Sequence, residues 1–81
     1  MARVFFTEEL ARFMSGTREL EMNVSSFREL LIQLEARFPG AEERIVGKVA
    51  VAIDGDISHD PYLETIRPDS EVYFLHRIAG G

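Results

Sequence analysis

The chain has 81 residues, a length that holds a single core and leaves no room for a second. Apolar residues make up 46% of it, enough for a globular core, and the absence of cysteine excludes disulfides, thiolate metal ligands and a cysteine nucleophile. The formal net charge of -5 argues against a nucleic-acid or anionic-membrane partner, both of which need a basic surface, and permits a basic protein partner.

The first predicted element is a buried strand over Arg3 to Phe6, an apolar and aromatic run. Leu10, Phe13 and Met14 follow at helical spacing and predict a short helical turn that Ser15-Gly16 ends. From Thr17 to Val24 polar and apolar residues alternate, so Leu20, Met22 and Val24 face one side of a second strand, antiparallel to the first. The clearest local signal is a helix starting at Ser26, with Glu29 completing a capping box. Phe27, Leu30, Leu31, Leu34 and Phe38 form one apolar stripe along it, which core packing accounts for, and Pro39-Gly40 stops it. Residues Ala41 to Gly47 read as a polar bridge. Lys48 to Ile53 is a strand that points Val49, Val51 and Ile53 into the core, and Asp54-Gly55 is a turn. Asp56-Ile57 and Tyr62-Leu63 read as short irregular pieces, and Arg67-Pro68-Asp69-Ser70 as another turn. The last strand covers Glu71 to Arg77.

One main helix cannot cover two sheet faces. The order therefore predicts an α+β fold with a single mixed sheet and the helix packed across one face, the first and last strands being central neighbours. This is the ubiquitin-like β-grasp layout, with residues 1–81 forming a single domain that ends in a flexible tail over 76–81. No run approaches the roughly 18 apolar residues of a membrane span. The start, Met1 to Phe6, meets Glu8 and Glu9 at once, unlike a secretory signal, so the expected compartment is the cytoplasm.

Side-chain catalysis has little support. The serines lack a G-x-S-x-G context, His59 and His76 are 17 residues apart, and no phosphate-binding G-x-x-x-x-G-K-S/T loop exists. Asp54, Asp56 and Asp60 do not fit a calcium loop, because its glycine position holds His59 and its glutamate position Thr65. No metal site is expected. The ending is what ordinary folding leaves unexplained. With glycine at about 7% of average usage, a terminal Gly-Gly arises by chance in roughly 0.5% of chains. Residues His76 to Gly81 span about 20 Å when extended, and glycine lets such a tail thread a narrow channel. Gly81 would offer a main-chain carboxylate, a poor electrophile until another protein activates it, and a bulkier residue at Gly80 or Gly81 would block passage.

Val4-Phe5-Phe6, the capped helix Ser26-Phe27-Arg28-Glu29-Leu30, the strand and turn Val49 to Gly55, the run Asp69 to Leu75 and the end Ile78-Ala79-Gly80-Gly81 together resemble the MoaD/ThiS sulfur-carrier proteins. In length and layout the chain is most similar to the molybdopterin synthase small subunit. The resemblance implies a carrier rather than an enzyme, with no cofactor of its own. A ubiquitin-activating-type enzyme, using ATP and Mg, would adenylate Gly81, and a sulfur donor would convert it to a thiocarboxylate. A synthase such as the molybdopterin synthase large subunit would then receive the sulfur. In relatives the sulfur goes to thiazole, cysteine, tRNA or a secondary metabolite. Family members often carry two prolines where this chain has His76 and Arg77; proline would stiffen the tail and remove two amide donors.

If Val4, Phe6, Val72 and Phe74 face the helix, Phe5, Tyr73 and Leu75 lie on the open face and suggest a protein interface, continued by the tail residues His76, Arg77, Ile78 and Ala79. Two other readings stand beside the carrier: a ubiquitin-like modifier joined to targets through Gly81, and a non-covalent interaction module. Lys48 is the only lysine, which would restrict chain-building on this protein.

Overall fold

The computed structural model describes residues 1–58 and 61–77. Strand β1, Ala2–Phe5, buries Ala2 and Val4 and exposes Arg3 between them. Helix α1, Glu8–Phe13, is capped by the Thr7 hydroxyl, which accepts from the Leu10 amide at 3.1 Å, and Glu8 and Glu9 complement the dipole in its first turn. Strand β2 is Glu19–Met22, shorter than the alternating pattern, although Met22 and Val24 are both buried as that pattern expects.

Helix α2, Phe27–Arg37, buries Phe27, Leu30, Leu31 and Leu34. Ser26 Oγ accepts from the Glu29 amide at 3.1 Å. The second half of the expected capping box differs: the Glu29 carboxylate accepts from Ser25 Oγ at 3.0 Å and the Ser25 amide at 3.4 Å. Pairing of this stretch with residues 64–66, through Phe27 N–H to Glu64 O and Ile66 N–H to Ser25 O, keeps it extended and presents Ser25 to that carboxylate.

The expected polar bridge after α2 is instead a short helix, α3, Ala41–Ile45. Ala41 and Ile45 lie one turn apart and are both buried, so the segment has an inward face. Its N-cap, Gly40, has no side chain to cap with. Glu35 of α2 does so from outside, accepting from the amides of Gly40 and Glu42 at 2.9 Å each. Those two bonds hold the Glu35 carboxyl below the usual carboxylate range.

Strand β3, Val49–Ile53, turns into β4, Asp56–Ser58, through Asp54 at φ 50° and Gly55 at φ 88°. Two successive left-handed residues make the mirror-type turn whose twist matches a hairpin, and this pairs the stretch expected to be irregular. Strand β5 is Glu71–His76. The sheet order is β2-β1-β5-β3-β4, with β1 and β5 parallel at its centre and the other neighbours antiparallel. Val4, Met22, Val51, Val72 and Phe74 of the sheet share one core cluster with the α2 stripe, Leu10 and Met14 of the α1 region, and Ala41 and Ile45 of α3. A mixed five-stranded sheet with helices on one face is the ubiquitin-like β-grasp. Among the described residues no helix is long and apolar enough to cross a membrane.

Candidate functional site

Because β5 is central, its two sides serve different ends. Val72 and Phe74 are buried against the helices, while Glu71 and Tyr73 are exposed and Leu75 is half-buried. Residues directly paired across strands share a face. The registers therefore align Glu19, Phe5, Tyr73, Ala52 and Ile57 in one row across all five strands, on the side away from α2. Phe5 and Tyr73 stack with centroids 4.4 Å apart and planes 10° from parallel. Leu75 lies opposite Ala50 in the adjacent row. Ala50 and Ala52 are themselves buried, and Ala52 forms a low floor between Tyr73 and Ile57. The result is a contiguous apolar strip in which Tyr73 remains 40% and Ile57 63% exposed.

One rim of the strip is charged. The Arg3 guanidinium lies 5.1 Å from the Phe5 ring centroid and pairs with Glu19 at 3.2 Å and Glu71 at 3.9 Å. The hydrogen bond to Glu19 raises the Arg3 pKa further, so its positive charge is fixed. Glu21 is the residue opposite Arg3 in the register of β1 and β2. Three carboxylates against one guanidinium leave this rim acidic, while the pairs themselves, exposed as they are, add little stability.

The start of β5 is fastened by Asp54. Its carboxylate accepts from Ser70 Oγ at 2.7 Å, from the Glu71 amide at 2.9 Å and from Arg67 at 3.5 Å. The Glu71 amide, then the Ser70 hydroxyl, hold the Asp54 carboxyl below its ordinary range. Asp54 is thus a bracket between two turns, which is more than the exposed acidic turn its sequence context suggests. Among the described residues no group of three or more acidic or histidine side chains is placed to hold a metal.

At the far end, His76 is paired with Val49. It belongs to the sheet, within the strand expected over Glu71 to Arg77 and not in the tail expected over 76–81, because β3 extends far enough to pair with it. The Arg77 guanidinium donates to the Gly47 carbonyl at 2.8 Å. Ile78, Ala79, Gly80 and Gly81 lie outside the described residues, as do His59 and Asp60.

Of the residues singled out from the sequence, the fold therefore brings Phe5, Tyr73 and Leu75 onto one face and places His76 and Arg77 at the end of the same strand. It adds Ile57, Ala50, Ala52 and Arg3, which sequence reasoning passed over. The alternation of alanine with β-branched residues in Val49–Ile53 was the available signal, since small residues on the outward side make a floor for larger neighbours.

A family model, the ThiS family, matches residues 4–81. Among solved structures, the chain is similar to the CysO/BexX complex of Amycolatopsis orientalis, with a TM-score of 0.85 at 17% identity, covering 100% of each chain. CysO of Mycobacterium tuberculosis, described as an antigen, gives a TM-score of 0.85 at 15% identity over 96% of this chain and 100% of that one. The small archaeal modifier protein 1 of Methanosarcina acetivorans gives 0.78 at 18% identity over 99% and 95%. At such identities these likenesses establish the shared fold. The comparison with curated proteins returns no match. With the family model running through nearly the whole sequence and the β-grasp sheet in place, the chain belongs to the ThiS family, the small ubiquitin-like sulfur carriers of MoaD/ThiS type.

Proposed function

We propose that this protein carries sulfur on its main-chain terminus. The observation that carries the reading is the family match itself, which extends through Gly81 and includes the Gly80-Gly81 ending. In the proposed cycle, a carboxylate oxygen of Gly81 attacks the α-phosphorus of ATP on a ubiquitin-activating-type enzyme, which supplies the Mg, and pyrophosphate leaves. The terminal sulfur of a persulfide on the donor then attacks the acyl carbon and AMP leaves. A thiolate next attacks the donor sulfur of the resulting acyl disulfide, the S–S bond breaks, and Gly81 is released as a thiocarboxylate with a disulfide left on the donor. Nothing in this cycle requires a catalytic side chain from the carrier. Its own contribution is to present the terminus and to dock.

The docking surface we propose is the strip of Phe5, Tyr73 and Leu75 with Ile57 at its edge. It is contiguous, apolar and aligned along the strand that leads to the terminus, so a partner seated on it would receive the tail from a fixed direction. His76 at the end of the strand and the tail residues Ile78 and Ala79 complete the contact. The acidic rim of Glu19, Glu21 and Glu71 suits a partner with basic residues around its own apolar patch. The Amycolatopsis pair, in which a fold of this kind is held by a partner protein, is consistent with that use. The acceptor we propose is a synthase of the molybdopterin large-subunit type, with thiazole, cysteine, tRNA or secondary-metabolite routes as alternatives.

A second reading, a modifier joined to target amines through Gly81, draws on the fold shared with the archaeal modifier protein. Both readings use the same activation, and intact-mass analysis separates them. After incubation with ATP, the cognate activating enzyme and a sulfur donor, replacement of one oxygen by sulfur supports the carrier. Adducts on other proteins support the modifier, and an unchanged mass removes both. Deleting Gly81 is expected to abolish activation while leaving the melting temperature within experimental error. Comparable activation of the truncated protein overturns the proposal.

A further inference from the structure

The proposed function needs the chain to leave β5 in a defined direction, and the sequence lacks the proline pair that stiffens this point in related proteins. The structure contains another means of fixing it. His76 is the last residue of β5 with a sheet partner, Val49. Arg77 follows and reaches across the end of β3, its guanidinium donating to the Gly47 carbonyl at 2.8 Å. Gly47 lies in the turn between α3 and β3 at φ 74°, a backbone conformation that most side chains resist, and a Cβ there would meet no atom within 4 Å. Its glycine is therefore required by the turn and not by crowding. That turn is closed by Lys48 N–H to Ile45 O at 3.1 Å and rests on Ile45, which is buried. Arg77 is thus tied to a carbonyl whose position the core determines.

We propose that Arg77 is a positioning residue: its contact with Gly47 is a side-chain clamp that sets the exit direction of the chain beyond β5 and so aids activation of Gly81. This rests on the sulfur-carrier reading for its functional half. The clamp does with one charge-assisted hydrogen bond what a rigid ring does by fixing φ. A side-chain clamp differs from a ring in one respect: it can be released when a partner offers the guanidinium a carboxylate.

Three variants test it: Arg77→Ala, Arg77→Lys and Arg77→Pro. In the free protein, amide ¹⁵N relaxation of His76 is expected to show a lower order parameter in Arg77→Ala, with the order restored in Arg77→Pro. An unchanged His76 order parameter in Arg77→Ala overturns the clamp. In ATP–pyrophosphate exchange with the activating enzyme, Arg77→Ala is expected to lower kcat/KM about threefold to tenfold, chiefly through KM. Arg77→Lys should keep part of the effect, and Arg77→Pro should regain most of the wild-type value. If Arg77→Pro is as impaired as Arg77→Ala, the guanidinium acts by touching the enzyme directly and the positioning role fails. If the wild-type protein supports no exchange at all, the sulfur-carrier reading fails and the functional half with it. The relaxation result then still decides whether the clamp exists.

Discussion

The two faces of the central sheet are built from the same strands and obey different rules. On the helix side, Val4, Val72 and Phe74 lose nearly all contact with water, and Phe74 meets Phe27 and Phe6 at centroid distances of 5.9 and 5.6 Å. On the open side, one residue further along each strand, Phe5 and Tyr73 stack on each other but keep an exposed edge. Apolar side chains occur on both sides, so hydrophobicity alone does not distinguish core from surface here. What distinguishes them is closure: α2 covers one face and nothing in the described chain covers the other. The helix side carries stability, and the open side is free to carry recognition.

The sharpest test of that division compares Leu34→Ala with Tyr73→Ala. Leu34 is fully buried on α2, so its truncation leaves a cavity and is expected to cost about 2–5 kcal/mol, read as a drop in the denaturation midpoint. Tyr73→Ala should cost less than about 1.5 kcal/mol, because the ring is already partly solvated. Equal losses would mean that the open strip is structural. Next in size is the effect on docking. Phe5→Asp or Leu75→Asp is expected to weaken binding to the activating enzyme by roughly tenfold or more, with far-ultraviolet circular dichroism unchanged. Unaltered affinity in titration calorimetry would remove the strip from the interface.

How much of this division could be read from residues alone depends on length and on separation. Helix α2 was legible because eleven residues give its apolar stripe three turns in which to repeat. Helix α3 was not, because five residues hold only Ala41 and Ile45 as inward positions and its cap comes from Glu35 on a different helix. The alternation in Glu71–His76 assigned Tyr73 and Val72 to opposite faces correctly, since a buried side fixes the register of a strand. Ile57 escaped notice for the converse reason: a three-residue strand has no period to display, and only pairing with Ala52 places it on the strip. The Arg77–Gly47 contact spans thirty residues in sequence, beyond any local pattern.

The smallest expected effect concerns Asp54, which faces neither the core nor the strip. Its carboxylate fastens the Arg67–Ser70 turn to the β3–β4 hairpin and receives the first amide of β5. Those bonds lower its folded pKa below the unfolded value of about 3.9. A depressed carboxylate pKa contributes stability that is fully present above the unfolded value and is lost as pH falls through the folded one. Asp54→Asn should therefore melt slightly below the wild type at pH 7, and the gap should narrow as both proteins are taken below about pH 4. Glu35, lowered by the Gly40 and Glu42 amides, titrates in the same direction, so the two curves are compared as a difference, in which its share cancels. A gap that persists undiminished in acid would assign the loss to altered packing at the turn and not to the charged bracket. Affinity for the activating enzyme should be the same in both proteins at pH 7, because Asp54 holds the beginning of β5 while the proposed docking surface uses its outward side chains and its far end.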